Sequence, residues 1–180
     1  MSPSESELEN RREYSRVYAY VPLAVRVVPP EERPLVHSRF FGETSVPNVH
    51  VYPDMEDTML DEWLRILNAK LDTIIRLLTI QGEGFHTLPY RAVNISGSGI
   101  RLTVHEDVRL GDIIELKMII TGSRLTNLYL YVYAEVLKVE EQTSGRIVAA
   151  RFIRMDDAIR DEIVRFVFER EREILREKRK

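Results

Sequence analysis

The chain has 180 residues, 44% of them hydrophobic and 31% charged, with a formal net charge of −3. That length suits one domain with one core and an appendage, and the negative balance argues against a bulk electrostatic attraction to nucleic acid. With no cysteine, disulfides, zinc–thiolate sites and cysteine nucleophiles are excluded; with no signal peptide either, the cytoplasm is the expected location, and no apolar run is long enough to insert in a membrane.

In chain order, residues 1–10 are polar and acidic and are expected to be a disordered leader. "RREYSR" at 11–16 precedes "VYAYVPLAVRVV", a strand by its content of Val and Tyr. Pro22 inside it predicts an edge or a bulge, because proline cannot donate to a ladder. Residues 29–53 carry five prolines (Pro29, Pro30, Pro34, Pro47 and Pro53) without clean periodicity and read as an irregular connection.

Residues 54–81 change character and predict an inserted helix. Asp54 is placed as its N-cap, acids fill the first turn, and Gly82 and Gly84 stop it. Leu60, Leu64, Leu67, Leu71, Ile74 and Leu78 follow spacings of 4, 3, 4, 3, 4, a heptad seam. Trp63, Ile75 and Leu77 widen that face beyond what two helices need, which favours a trimer or tetramer over a dimer. At 1.5 Å per residue the helix runs about 40 Å, longer than a small barrel is wide, so part of the seam is expected to meet further copies of the chain.

From Leu88 onward the pattern is a strand meander. "YRAVNIS", "GIRLTV", "IIELKMIIT", "NLYLYVYAEVLKV" and "GRIVAARFI" predict a small antiparallel barrel. Residues 156–180 form a terminal helix with Ile159, Ile163, Phe166 and Val167 as its buried stripe. Its Arg172 and Arg176 read as a solvated face. Tyr129, Tyr131 and Tyr133 alternate onto one strand face, which reads as barrel packing rather than a base-stacking platform.

Little in the chain points to catalysis. His37, His50, His86 and His105 are scattered without metal-ligand spacing, and no acid pair stands out for proton transfer. "GSGIRL" begins like a dinucleotide fingerprint, but Leu102 stands where the third glycine belongs, and a strand follows instead of a helix. Neither a phosphate-loop lysine nor a nucleophile elbow is present. The expectations are therefore no enzyme, no metal and no cofactor. What remains is Asn94-x-Ser96-x-x-Gly99 between two strands. Asn and Ser can bond local backbone and a ligand edge, and Gly99 permits a positive φ or a close ligand approach. Arg12-x-x-x-Arg16, with Arg11 beside it, sits at the mouth of the first strand.

Together these features resemble the PilZ domain family. The resemblance rests on Arg12-x-x-x-Arg16 before a first strand, Asn94-x-Ser96-x-x-Gly99 between later strands, the Leu110-Gly111-Asp112 turn, a strand ending Ala150-Arg151-Phe152, and a closing helix. It covers 11–28 and roughly 88–170. It implies a six-stranded antiparallel barrel, built here from 11–28 and 85–155, and a bacterial receptor for cyclic di-GMP. By the resemblance Arg12 and Arg16 clamp guanine and phosphate, with Arg11 assisting, while Asn94, Ser96 and Gly99 cradle the rest of the ligand. One departure is the 78-residue separation of Arg16 and Asn94, produced by the inserted helix; loop closure costs grow slowly enough to allow it. Some PilZ-like proteins with heptad-bearing helices form tetramers without the ligand motifs, so a nucleotide-independent scaffold for pilus or motility machinery is the alternative. A single-strand nucleic-acid binder is a third possibility that the net charge opposes.

Overall fold

A computed structural model describes residues 14–41, 58–121, 127–143 and 145–178. The leader 1–10, Arg11, Arg12, His50 and the expected cap Asp54 lie outside the described residues. The chain divides into two compact units, one of residues up to 40 together with 88 onward, the other of 41–87.

In the first unit, β1 (Arg16–Val27), β3 (Tyr90–Ser96), β4 (Gly99–Val104), β5 (Ile113–Thr121), β6 (Asn127–Gln142) and β7 (Gly145–Ile153) form a closed antiparallel barrel, and β2 (Arg39–Phe40) adds a two-residue rung to β6. Closure comes from the length of β6, which pairs with β5 through its first half and with β7 through its second. β1 alternates: Val17, Ala19, Val21, Leu23 and Val25 point into the core, and Arg16, Tyr18 and Tyr20 point out. Pro22 marks a change of partner. Residues 16–22 pair with β3 and residues 23–27 with β5, so the missing N–H falls where β1 leaves one neighbour for the other. A terminal helix, α2 (Asp157–Glu177), closes the core with Ile159, Ile163, Phe166 and Val167 and packs against β1, β3 and β5.

The barrel's outer face carries a polar cluster. Arg26 donates through Nε and Nη2 to both oxygens of Glu115, each at 3.1 Å, and through Nη1 to Glu32 at 2.9 Å; the Tyr133 hydroxyl donates to Glu115 at 2.7 Å. Burial pushes the Glu115 carboxyl up, but the hydrogen bonds from Arg26 and Tyr133 and the nearby positive charge outweigh it and hold it below the usual carboxylate range. Burial, then the bond to Glu115, pushes the Tyr133 phenol up to about 12. A depressed folded-state value means that Glu115 adds stability above its unfolded value of about 4.3 and loses it as pH falls through the folded value. Glu115→Gln is therefore expected to melt below the parent at pH 7, with the gap closing at about pH 3. A gap that stays constant across that range in thermal melts would contradict this. Tyr131, on the same outer face, is covered by the Arg39 guanidinium, 4.9 Å from its ring centroid. The alternating tyrosines are thus packed on the outside of the barrel rather than in its core.

The second unit contains the long helix α1 (Thr58–Gly82). Its end follows glycine chemistry: Gly84 adopts φ 70° and its N–H bonds the Gln81 carbonyl at 2.9 Å. Beyond it, Phe85 meets Phe41, ring centroids 5.2 Å apart. Leu60, Trp63, Leu67, Leu71, Ile74 and Leu78 of the seam are 44–67% exposed in the single chain, and Leu64 is half-buried. Among the described residues no helix is long and apolar enough to cross a membrane.

Candidate functional site

The Asn94–Gly99 segment is a tight hairpin. Ser96 pairs with Gly99, leaving Gly97 and Ser98 as the loop. Ser96 is buried, and its hydroxyl serves the turn: it donates to the Gly99 carbonyl at 3.3 Å, accepts from the Ser98 N–H at 3.4 Å and lies 3.2 Å from the Ser98 hydroxyl. Its job is to hold the hairpin, the local half of what an Asx- or Ser-type side chain can do.

Gly99 differs from the sequence expectation. Among the described residues the glycines with positive φ are Gly84, Gly111 and Gly145, not Gly99. A Cβ on Gly99 would instead collide with the Ala150 carbonyl of β7. Glycine is needed because two backbones approach closely at the β4–β7 seam, where Phe152 N–H also bonds the Ser98 carbonyl at 3.0 Å. A backbone oxygen cannot rotate away, so Gly99→Ala is expected to cost about 1–3 kcal/mol of stability. Urea unfolding with an unchanged midpoint would contradict this. By contrast, the glycine of the Leu110-Gly111-Asp112 turn does use its freedom: φ is 83°, and the Asp112 carboxylate accepts the Arg109 N–H at 2.9 Å.

The strand register then assembles a face. Tyr18 stands opposite Asn94, Asn94 opposite Arg101, and Arg101 opposite Ala149, a continuous outward row across β1, β3, β4 and β7. Arg16 lies one outward position along β1, and Arg151 pairs with Gly99 at the matching position of β7. Two open clefts adjoin on this row, both lined by Arg16, Asn94 and Arg101. The smaller, about 190 Å3, adds Leu137, Ala149 and Arg151. The larger, about 550 Å3, adds Tyr14, Tyr18 and Glu171, and it falls within the range of small-molecule sites, roughly 300–1,000 Å3.

Electrostatically the face is cationic with a controlled supply of counter-charge. Arg16 is exposed and has no ion pair among the described residues. Arg101 donates to Glu140 at 2.9 Å and Arg151 to Glu135 at 2.7 Å. Lys138, with Arg101 adding to it, holds the Glu140 carboxyl below its usual range. Arg101 meets Glu140 through Nη2, and a guanidinium carries five N–H donors, so the pair does not exhaust what it can offer an anion. Tyr18, 77% exposed, offers a flat ring beside Asn94. Leu137 reaches the cleft through a bulge: Val136 pairs with Ala150 and Lys138 with Ala149, so Leu137 is the extra residue, turned outward and exposed.

Of the residues expected from sequence, the structure brings Arg16, Asn94 and Gly99 to the lining of one cleft and leaves Ser96 behind it as a brace. Arg11 and Arg12 lie outside the described residues. Arg101, Arg151, Tyr18 and Leu137 were not anticipated. Arg101 could have been found, because centring a two-residue turn on Gly97 and Ser98 places it opposite Asn94. Arg151 and Leu137 depend on the register of distant strands and on a bulge.

A closed six-stranded antiparallel barrel, sealed by a C-terminal helix and bearing an Asn-x-Ser-x-x-Gly hairpin beside surface arginines, defines the class of module. The model of the PilZ domain matches residues 72–169, and the chain belongs to the PilZ domain family. That match starts within α1, so the Arg12–Arg16 segment precedes it. Among solved structures the chain is similar to a pathogenic protein from Xanthomonas campestris, described as a new tetrameric PilZ domain self-assembled via an unusual helical bundle. The TM-score is 0.52 at 19% identity, covering 91% of each chain. At that identity the likeness is one of fold. Comparison with curated proteins returned no match.

Proposed function

We propose that this protein is a non-catalytic cyclic di-GMP receptor of the cytoplasm that works as a homo-oligomer and passes the signal to a protein partner. The observation that carries the reading is the convergence of Arg16, Asn94 and Arg101 on one open face at the motif hairpin. The ligand presents two phosphates and two guanines. An arginine fork suits both a phosphate and the O6/N7 edge of guanine, and Tyr18 supplies a surface on which a base can stack. Arg12, with Arg11 assisting, completes the clamp from the leader. The seam of α1 joins copies of the chain, as a trimer or tetramer.

Calorimetric titration of the whole protein with cyclic di-GMP tests the reading. Saturable heat is the expected result, together with a rise in melting temperature, since a ligand that binds only the folded state stabilises it. Neither heat nor thermal shift from a folded oligomer would favour the alternative, a nucleotide-independent scaffold. The exposed seam of α1 is compatible with that alternative as well.

A further inference from the structure

Tyr14 and Ser15 fall between the two arginines of the leader motif, at positions the motif leaves open. Tyr14 lies against the hairpin loop. A Cβ on Gly97 would come within 2.7 Å of Tyr14 Cδ1 and 2.5 Å of Val164 Cγ2. Those two side chains occupy the space that a side chain at 97 would need. The turn itself does not demand glycine there, because Gly97 is not among the positive-φ residues. Its missing side chain is explained by the room it leaves for Val164 and Tyr14 together.

Beside this contact opens an apolar cleft of about 220 Å3, lined by Tyr14, Ser15, Gly97, Val164, Val167 and Phe168. A second tether lies one residue on: the Ser15 hydroxyl donates to Glu171 of α2 at 3.1 Å. Arg160 of the same helix reaches the other side of the loop, where its Nη1 donates to the Gly97 carbonyl at 3.4 Å. The segment that delivers Arg16 is therefore held to α2 and to the hairpin at once.

We propose that Tyr14 is a positioning residue of the nucleotide site, a latch seated on Gly97 and Val164 that fixes the segment carrying Arg16 over Asn94 and Arg101. Without the latch, Arg16 keeps only its pairing with Ser96 at the end of the β1–β3 ladder, an end that then frays more readily and must be ordered at the moment of binding, which lowers affinity. The proposal rests on the cyclic di-GMP reading for its effect on affinity, but the latch itself exists without ligand.

The test uses the full chain with Tyr14→Ala, Tyr14→Phe and Gly97→Ala. In the first arm, without ligand, trypsin cleavage after Arg16 is timed by mass spectrometry of the fragment beginning at Val17. Releasing one apolar anchor is expected to speed the cut about tenfold in Tyr14→Ala and Gly97→Ala and leave it unchanged in Tyr14→Phe. In the second arm, cyclic di-GMP affinity is expected to fall about tenfold in the first two variants and to be retained by Tyr14→Phe. The melting temperature of the ligand-free Tyr14→Ala barrel is expected to stay at the parent value. An unchanged cleavage rate in Tyr14→Ala would overturn the latch, even with weakened binding, since Tyr14 would then touch the ligand directly. Failure of the parent protein to bind cyclic di-GMP would overturn the receptor reading and leave the first arm to decide the latch by itself.

Discussion

Replacing Arg12 and Arg16 together by alanine is expected to weaken cyclic di-GMP binding by roughly two to four decades. Each arginine contributes charge-assisted hydrogen bonds of about 1.5–3 kcal/mol, and roughly 1.4 kcal/mol corresponds to one decade of affinity. Arg16 lines both clefts, is exposed and has no ion pair among the described residues, so its loss removes a ligand contact without leaving a buried partner charge. The barrel should fold as before, which separates a binding defect from a folding one. Arg16→Lys should recover only part of the loss, because an ammonium lacks the planar fork that engages two oxygens. Calorimetry giving the parent affinity for the double variant would remove these arginines from the site.

Converting Leu67 and Leu71 to aspartate is expected to reduce the proposed homo-oligomer to monomers. The two leucines are consecutive members of the seam and are 54% and 45% exposed in the single chain. Leaving such a row in water is unfavourable, by about 25 cal/mol for each Å2 of apolar surface not buried. Two carboxylates per helix in a shared core would each lose hydration without a partner, a penalty of several kcal/mol per charge. On an isolated helix the same substitutions are benign, because both carboxylates stay in water. Light scattering with the parent mass would contradict the role of the seam.

The barrel was legible because several of its strands obey one simple rule. Period-2 alternation in β1, β4 and β5 follows from one buried and one solvated face, and the α2 stripe of Ile159, Ile163, Phe166 and Val167 follows from helical period. The site was legible only in part. A motif states which residue types recur, not which job each does: Gly99 reads as a positive-φ turn residue or a point of close ligand approach, whereas its φ is not positive and β7 is what presses on it. Ser96 reads as a ligand contact and spends its hydroxyl on the turn. Leu137 enters the cleft through a bulge whose position depends on how β6 registers with β7. Tyr14 was hidden for a different reason. It occupies an unspecified position of the motif, and its significance appears only when Gly97, more than eighty residues away, is seen to need no side chain.

Hydrogen–deuterium exchange of the whole protein, with and without saturating cyclic di-GMP, tests the central claim most directly. Amides of the Tyr14–Tyr18 segment and of the Asn94–Arg101 hairpin should become protected together on binding, while the other end of β1 around Arg26 stays as it was. Binding accompanied by protection elsewhere, with both of these segments unchanged, would contradict a site built from the β1 entrance and the β3–β4 turn.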